Sequence, residues 1–369
     1  MIRFERLLVG AVLAATWCAC AAGPSATTPP SPIGAGAAAH AAGAAKRAKP
    51  TFYILNVDET EKAEWVGVYG DGGTSLLRKI VVKRKYANPD MAADAAGHFY
   101  LYDGQEPVAL SIYASRAAKL VESLDQLDPF GILTLDGSGN LYTTCRKQGE
   151  DLCEYAHAPK GVLKPGIVRR IRVPGALPFD LAVDDSGNIA MSGGIGGLFV
   201  FAPGQTQPYW KITGSGLVFL SNAFDSSGNL YVVTGQRDSS VSAVSVYAPG
   251  STLPSRTITD GATAAGQIAF DGSGNLYVLN DCLEDCGSQP QSVSVYAPGG
   301  SVPVRTITSG IASGQGHGMA VDAAGDLVVT NVGNYSDAGS FAVYAPGGSK
   351  PIRTVSSGVR NPGLVVVGP

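Results

Sequence analysis

Between Ala269 and Leu279 the chain reads AFDGSGNLYVL, and between Ala223 and Val233 it reads AFDSSGNLYVV. Each is an apolar run, a short polar turn and a second apolar run. That is the pattern of a tight hairpin, in which Gly supplies positive φ and Asp or Asn side chains bond the local backbone. The phrase recurs as AADAAGHFYLY from Ala92, TLDGSGNLYTT from Thr134, AVDDSGNIAMS from Ala182 and AVDAAGDLVVT from Ala320. A second hairpin pattern follows the first: VSVYAPGSTLPSRTITDG from Val244, VSVYAPGGSVPVRTITSG from Val293 and FAVYAPGGSKPIRTVSSG from Phe341. Alternating apolar positions predict a strand up to the Tyr. Pro sets φ, Gly accepts the left-handed position, and a further strand runs through the Arg. Each unit therefore carries four strands, A to D, with A–B and C–D turns of regular composition and B–C and D–A loops that vary.

The aspartates closing strand A are Asp94, Asp136, Asp184, Asp225, Asp271 and Asp322, between 41 and 51 residues apart. A four-stranded unit at that period is the signature of a β-propeller. Thr51–Val57, Trp65–Gly73 and Ser75–Val82 resemble strands B, C and D with no strand A before them, and Gly363–Val367 resembles a strand A with nothing after it. The fold expected is all-β: a propeller of seven four-stranded blades, its ring closed when the C-terminal strand completes the N-terminal blade. Arg256, Arg305 and Arg353 fall on strand D, the outer edge, where charge discourages pairing with other chains.

The first fifty residues follow a different pattern. Arg3 and Arg6 precede an apolar run, Leu7–Thr16, too short to span a bilayer, and WCACAAG follows with small residues suited to cleavage. Residues 1–21 are expected to be an export signal, with Cys20 a lipidation candidate as the first residue of a lipoprotein. Residues 22–50, rich in Ala, Gly, Pro and Ser, are expected to be a disordered linker, and 51–369 the propeller. Charged residues make up 15% of the chain and the formal net charge is −3, which gives no electrostatic reason to expect a nucleic-acid partner. A membrane enters only through the N-terminal lipid anchor.

Export permits disulfides. Cys145 with Cys153 and Cys282 with Cys286 are local pairs, each worth roughly 2–3 kcal/mol in the chain-entropy model. The second pair, in DCLEDC, also reads as a metal loop with Asp281, Glu284 and Asp285.

NLYVLN with SVSVYAPGG, and LVVTN with FAVYAPGG, resemble NHL-type and YVTN-type bacterial propeller repeats, over about Thr51 to Pro369. The resemblance implies fold strongly and function weakly, because such rings host binding modules, scaffolds and a few enzymes. Loops carry function on a rigid frame, so the B–C/D–A face is the expected binding face. Four positions before each marker aspartate lie Asp90, Ile132, Asp180, Ser221, Gln267 and Gly318, at the mouth of the central channel, with Asn222 and His317 one residue away. Asp90, Asp180 and His317 are the groups there suited to a divalent cation, calcium or magnesium. His317, in GQGHGMAVD, resembles the catalytic histidine position of streptogramin lyases, which use a nearby acid and magnesium. The acid's place is taken here by Asn331, which cannot act as a base.

The function expected is an exported, non-enzymatic binding or scaffold module for a protein, a glycan or an envelope ligand. Asp90, Asp180, Asn222, Gln267, His317 and Asn331 are its binding-face candidates. One alternative is a metal-assisted lyase or lactone hydrolase using His317 with Asp90 or Asp180. A second is a structural envelope or surface-layer protein.

Overall fold

A computed structural model describes residues 49–58, 63–70, 72–82, 89–102, 110–114, 116, 119–124, 132–145, 151–158, 162–173, 178–194, 196–214, 216–236, 242–262, 264–280, 291–312, 318–332 and 338–369. The signal, most of the linker, Cys20, Cys282, Cys286 and His317 lie outside the described residues.

Blade 1 opens with β1 (Thr51–Asp58), β2 (Ala63–Gly70) and β3 (Ser75–Val82). Blade 2 is β4 (Asp90–Ala93), β5 (Phe99–Tyr102), β6 (Leu110–Tyr113) and β7 (Leu120–Leu124). Blade 3 is β8 (Leu133–Leu135), β9 (Leu141–Thr144), β10 (Asp151–Tyr155) and β11 (Arg169–Arg172). Blade 4 is β12 (Asp180–Val183), β13 (Ile189–Ser192), β14 (Leu198–Phe201) and β15 (Trp210–Ile212). Blade 5 is β16 (Leu217–Phe224), β17 (Leu230–Gln236), β18 (Ser242–Tyr247) and β19 (Arg256–Ile258). Blade 6 is β20 (Ala265–Phe270), β21 (Leu276–Asn280), β22 (Ser292–Tyr296) and β23 (Arg305–Ile307). Blade 7 is β24 (Met319–Val321), β25 (Leu327–Asn331), β26 (Ser340–Tyr344) and β27 (Arg353–Val355). The last strand, β28 (Pro362–Gly368), returns to blade 1 and makes the sheet order β28-β1-β2-β3.

The molecule is thus a seven-bladed propeller of four-stranded antiparallel sheets, with the ring closed as the repeat pattern requires. Thr51 faces Gly368 and Tyr53 faces Val366 in the closing pair. Closure supplies blade 1 with its inner strand, so that every blade has four strands and only short, protected edges remain.

The core sits between blades rather than within them. Alternate residues of a strand point to opposite faces of its sheet, so each blade feeds two interfaces. In β1, Tyr53 and Leu55 pack toward blade 2 with Met91 and Phe99, while Phe52 and Ile54 pack toward blade 7 with Val328 and Phe341. The Tyr53 ring stacks on Phe99 at 4.1 Å. The tight A–B turns form as the sequence requires. Asp271 Oδ1 accepts from the backbone N–H groups of Ser273 and Asn275 at 2.9 Å, Oδ2 accepts from Asn275 Nδ2 at 2.8 Å, and Gly274 takes φ 79°.

Candidate functional site

Asp90 and Asp180 begin the innermost strands of blades 2 and 4, Ile132 and Gly318 immediately precede those of blades 3 and 7, and Ser221 and Gln267 lie within β16 and β20; the polar side chains among them are bound to the next blade. Asp90 is 3% exposed; its Oδ1 accepts from Met91 N–H at 2.8 Å and its Oδ2 from Leu133 N–H of blade 3 at 2.8 Å. Asp180 repeats the arrangement between blades 4 and 5, with Oδ1 accepting from Leu181 N–H at 2.9 Å and Oδ2 from Asn222 N–H at 2.7 Å. Ser221 Oγ accepts from Ile268 N–H of blade 6 at 3.4 Å. Gln267 uses both amide atoms on one residue of blade 7: Nε2 donates to Met319 C=O at 2.7 Å and Oε1 accepts from Met319 N–H at 2.9 Å. At the 7–1 junction Gly318 N–H donates to Thr330 Oγ1 at 2.6 Å, and that hydroxyl donates to Gly363 C=O at 2.8 Å. Glycine is required at 318 because a Cβ there would meet Gly363 O at 2.3 Å. Ile132 is the apolar exception, packed among Leu181 and Ile171.

The remaining candidates also hold the frame. Asn331 Nδ2 donates to Gly310 C=O at 2.9 Å and its Oδ1 accepts from Ala312 N–H at 2.9 Å, fixing the D–A loop between blades 6 and 7. Asn222 Nδ2 donates to Ser192 Oγ at 2.9 Å, while its buried Oδ1 has no hydrogen-bond partner. The structure therefore brings Asp180 and Asn222 into contact and ties Gln267 elsewhere.

Burial pushes the Asp90 carboxyl up to about 7, against the two backbone N–H groups that favour its ionised form. Burial likewise raises Asp180 well above the usual carboxylate range, and the Asp90 charge adds to the effect. A cation at the channel mouth would have to share carboxylate oxygens that backbone amides already engage. Among the described residues no group of three or more His, Cys, Asp or Glu side chains comes together as a metal cluster.

A second set of ties, at the outer rim, is not legible in the repeat. The strand-D arginines are half-buried and reach across to the next blade. Arg256 donates through Nη2 to Tyr231 Oη at 2.8 Å and through Nη1 to the Gly299 carbonyl in the C–D turn of blade 6. Arg353 donates to the Gly72 carbonyl of blade 1, and Arg169 donates to Ala202 and Gln205 carbonyls of blade 4 at 3.2 and 2.8 Å. In blade 4 Trp210 stands in the arginine's place, and its Nε1 donates to the Ser251 carbonyl of blade 5 at 2.7 Å. Blade 2 reverses the polarity: Glu122 accepts from Leu163 N–H of blade 3 at 3.1 Å. The edge-guard role expected for Arg256 and Arg353 is thus joined by a fastening role. The signal that could have found it is the PGG turn one period away, whose carbonyls need donors.

The A–B turns are more regular than the other connections, and the C–D connections on their face run from four residues (71–74) to thirteen (156–168). Each A–B turn from blade 2 to blade 7 is five residues long, whereas the B–C connections run from four residues (59–62) to eleven (281–291). The expected Cys145–Cys153 disulfide is present, with Cα atoms 5.7 Å apart, and brackets the B–C loop of blade 3. On the opposite face, a cleft of about 260 Å³ lies between the A–B turns of blades 4 and 5, lined by Asp184, Asp185, Asp225, Tyr209 and Pro249 among others.

The chain is similar to the crystal structure of the Cps50 (Swd1) β-propeller domain of Myceliophteria thermophila. The TM-score is 0.59 at 9% identity, covering 77% of this chain and 90% of that one. At that identity the likeness concerns the fold alone. No family model and no curated protein matches the chain.

Proposed function

We propose that this propeller is an exported, non-enzymatic module of the NHL/YVTN repeat style, binding a protein, glycan or envelope ligand through its B–C/D–A loop face. One observation carries the reading: the A–B turns from blade 2 to blade 7 keep a single length of five residues, while the B–C connections on the other face span four to eleven. A frame with fixed turns and free loops is how folds present binding surfaces. The buried channel-mouth polar groups support it, because most of their hydrogen-bonding capacity is used in joining blades.

The test is a binding screen against glycan arrays and purified envelope components, using the full chain and a variant whose 281–291 loop is cut to five residues. Binding that survives in the parent and disappears in a variant of unchanged thermal stability supports the reading. Specific turnover of a substrate, abolished by His317→Ala, overturns it in favour of a channel-mouth enzyme.

A further inference from the structure

We propose that the opposite face, at the C–D corners, is a membrane-facing surface that rests on a bilayer containing anionic lipid. The inference goes beyond the loop-face reading and does not depend on which ligand that face takes.

The first observation is where the exposed apolar side chains lie. All the large exposed hydrophobic residues among the described ones sit at the start of strand D or just before it, with the single exception of Val81 at the far end of β3. Leu253, Val304 and Ile352 are 75%, 67% and 63% exposed in blades 5, 6 and 7. Tyr209, Val168, Val121 and Leu77 hold the corresponding corners of blades 4, 3, 2 and 1. Single exposed apolar residues are ordinary. Here every blade carries at least one within three residues of the start of its strand D, and the repeat of blades around one axis sets these corners in an annulus on one face.

An annulus of separated tips selects its partner. A second protein needs a contiguous close-packed patch, with shape complementarity across it. A fluid bilayer needs neither, because each tip enters the headgroup boundary on its own. Exposed cations accompany the tips: Arg78 and Lys79 beside Leu77, Lys119 beside Leu120, Arg170 beside Val168, Lys211 beside Tyr209 and Lys350 beside Ile352. Long cationic side chains next to aliphatic tips reach lipid phosphates while their stems cover apolar surface. The turn aspartates on this face lie nearer the axis, where their oxygens accept from their own turn amides.

The second observation is where the N-terminal segment joins. Pro50 C=O accepts from Gly72 N–H in the C–D turn of blade 1 at 2.9 Å. The 48 residues that precede the described structure, with the apolar run Leu7–Thr16 and Cys20, therefore connect on the annulus face.

The experiment is vesicle flotation of the full chain carrying Cys20→Ala, which removes acylation. Vesicles of phosphatidylcholine alone are compared with vesicles in which about a third is phosphatidylglycerol. The comparison variant adds Leu253→Ser, Val304→Ser and Ile352→Ser, all exposed, with thermal unfolding to verify that the ring is intact. The parent is expected to float with anionic vesicles, and the triple variant to partition at least about tenfold more weakly. Lys211→Glu with Lys350→Glu should weaken flotation only on the anionic vesicles. Equal partitioning of parent and triple variant would assign the binding to the N-terminal segment and overturn the proposal. Absence of flotation overturns it too, and if sedimentation then shows a dimer that the triple substitution dissolves, the annulus is a self-association surface. The loop-shortened variant should float like the parent, so the two proposals fail separately.

Discussion

The inner and outer rims of the ring do the same job with different chemistry. At the inner rim, buried side chains on the first strand of one blade bond backbone groups of the next, as Gln267 does with both polar atoms of Met319. At the outer rim, half-buried arginines reach carbonyls in the next blade's C–D turn. An inner tie that is cut leaves buried backbone groups without water, and each such orphan costs about 1–3 kcal/mol. An outer tie that is cut lets solvent replace the donor, so the loss is small. The inner rim should therefore decide whether the ring holds, and the outer rim how firmly its edges are set.

The largest expected effect lies outside both sets of ties, in the closing strand. Deleting Gly363–Pro369 removes the strand that pairs β1 and the Gly363 carbonyl that receives Thr330. The truncated chain should lose its cooperative unfolding transition by calorimetry, and a transition of parental midpoint would show that closure is dispensable. Next in size, Gln267→Ala should cost roughly 2–5 kcal/mol in urea unfolding, because Met319 N–H and C=O are orphaned together.

The third expectation concerns pH. The folded-state pKa of Asp90 and Asp180 lies above the unfolded value, so the fold binds these protons more tightly than the unfolded chain. Their contribution is full below the unfolded pKa near 4 and is lost as pH rises toward about 7, so stability should fall across that window. Denaturant midpoints at several pH values measure the slope, and Asp90→Asn with Asp180→Asn should flatten it. A slope unchanged in the double variant would mean that backbone amides outweigh burial at the inner rim. The smallest effect should come from Arg256→Ala, about 0.5–1.5 kcal/mol. A cost exceeding that of Gln267→Ala would invert the ranking of the two rims.

How much of this the sequence discloses follows from the reach of each pattern. The blades, the closing strand and the turn role of the marker aspartates come from residues that repeat locally, such as Asp271 with Gly274 and Asn275. The Cys145–Cys153 pair is local too and equally legible. The roles of Asp90 and Asp180 are not, because their partners are backbone N–H groups 43 and 42 residues away, and a backbone amide has no sequence signature. Buried acids at a channel mouth read as ligands until their oxygens are found occupied. Arg256 presents the same problem at the rim, since its Gly299 partner is 43 residues distant.

The closing pair of β1 with β28 also sets a timetable for biosynthesis. Thr51 bonds Pro369 across a separation of 318 residues, so the inner edge of blade 1, with the apolar sequence Thr51–Leu55, stays unpaired while the other blades emerge from the ribosome. Such an edge invites pairing with a neighbouring nascent chain. The interval between the first strand and the last is thus the period in which this protein most needs a chaperone, and a prematurely terminated chain would carry that exposed edge permanently.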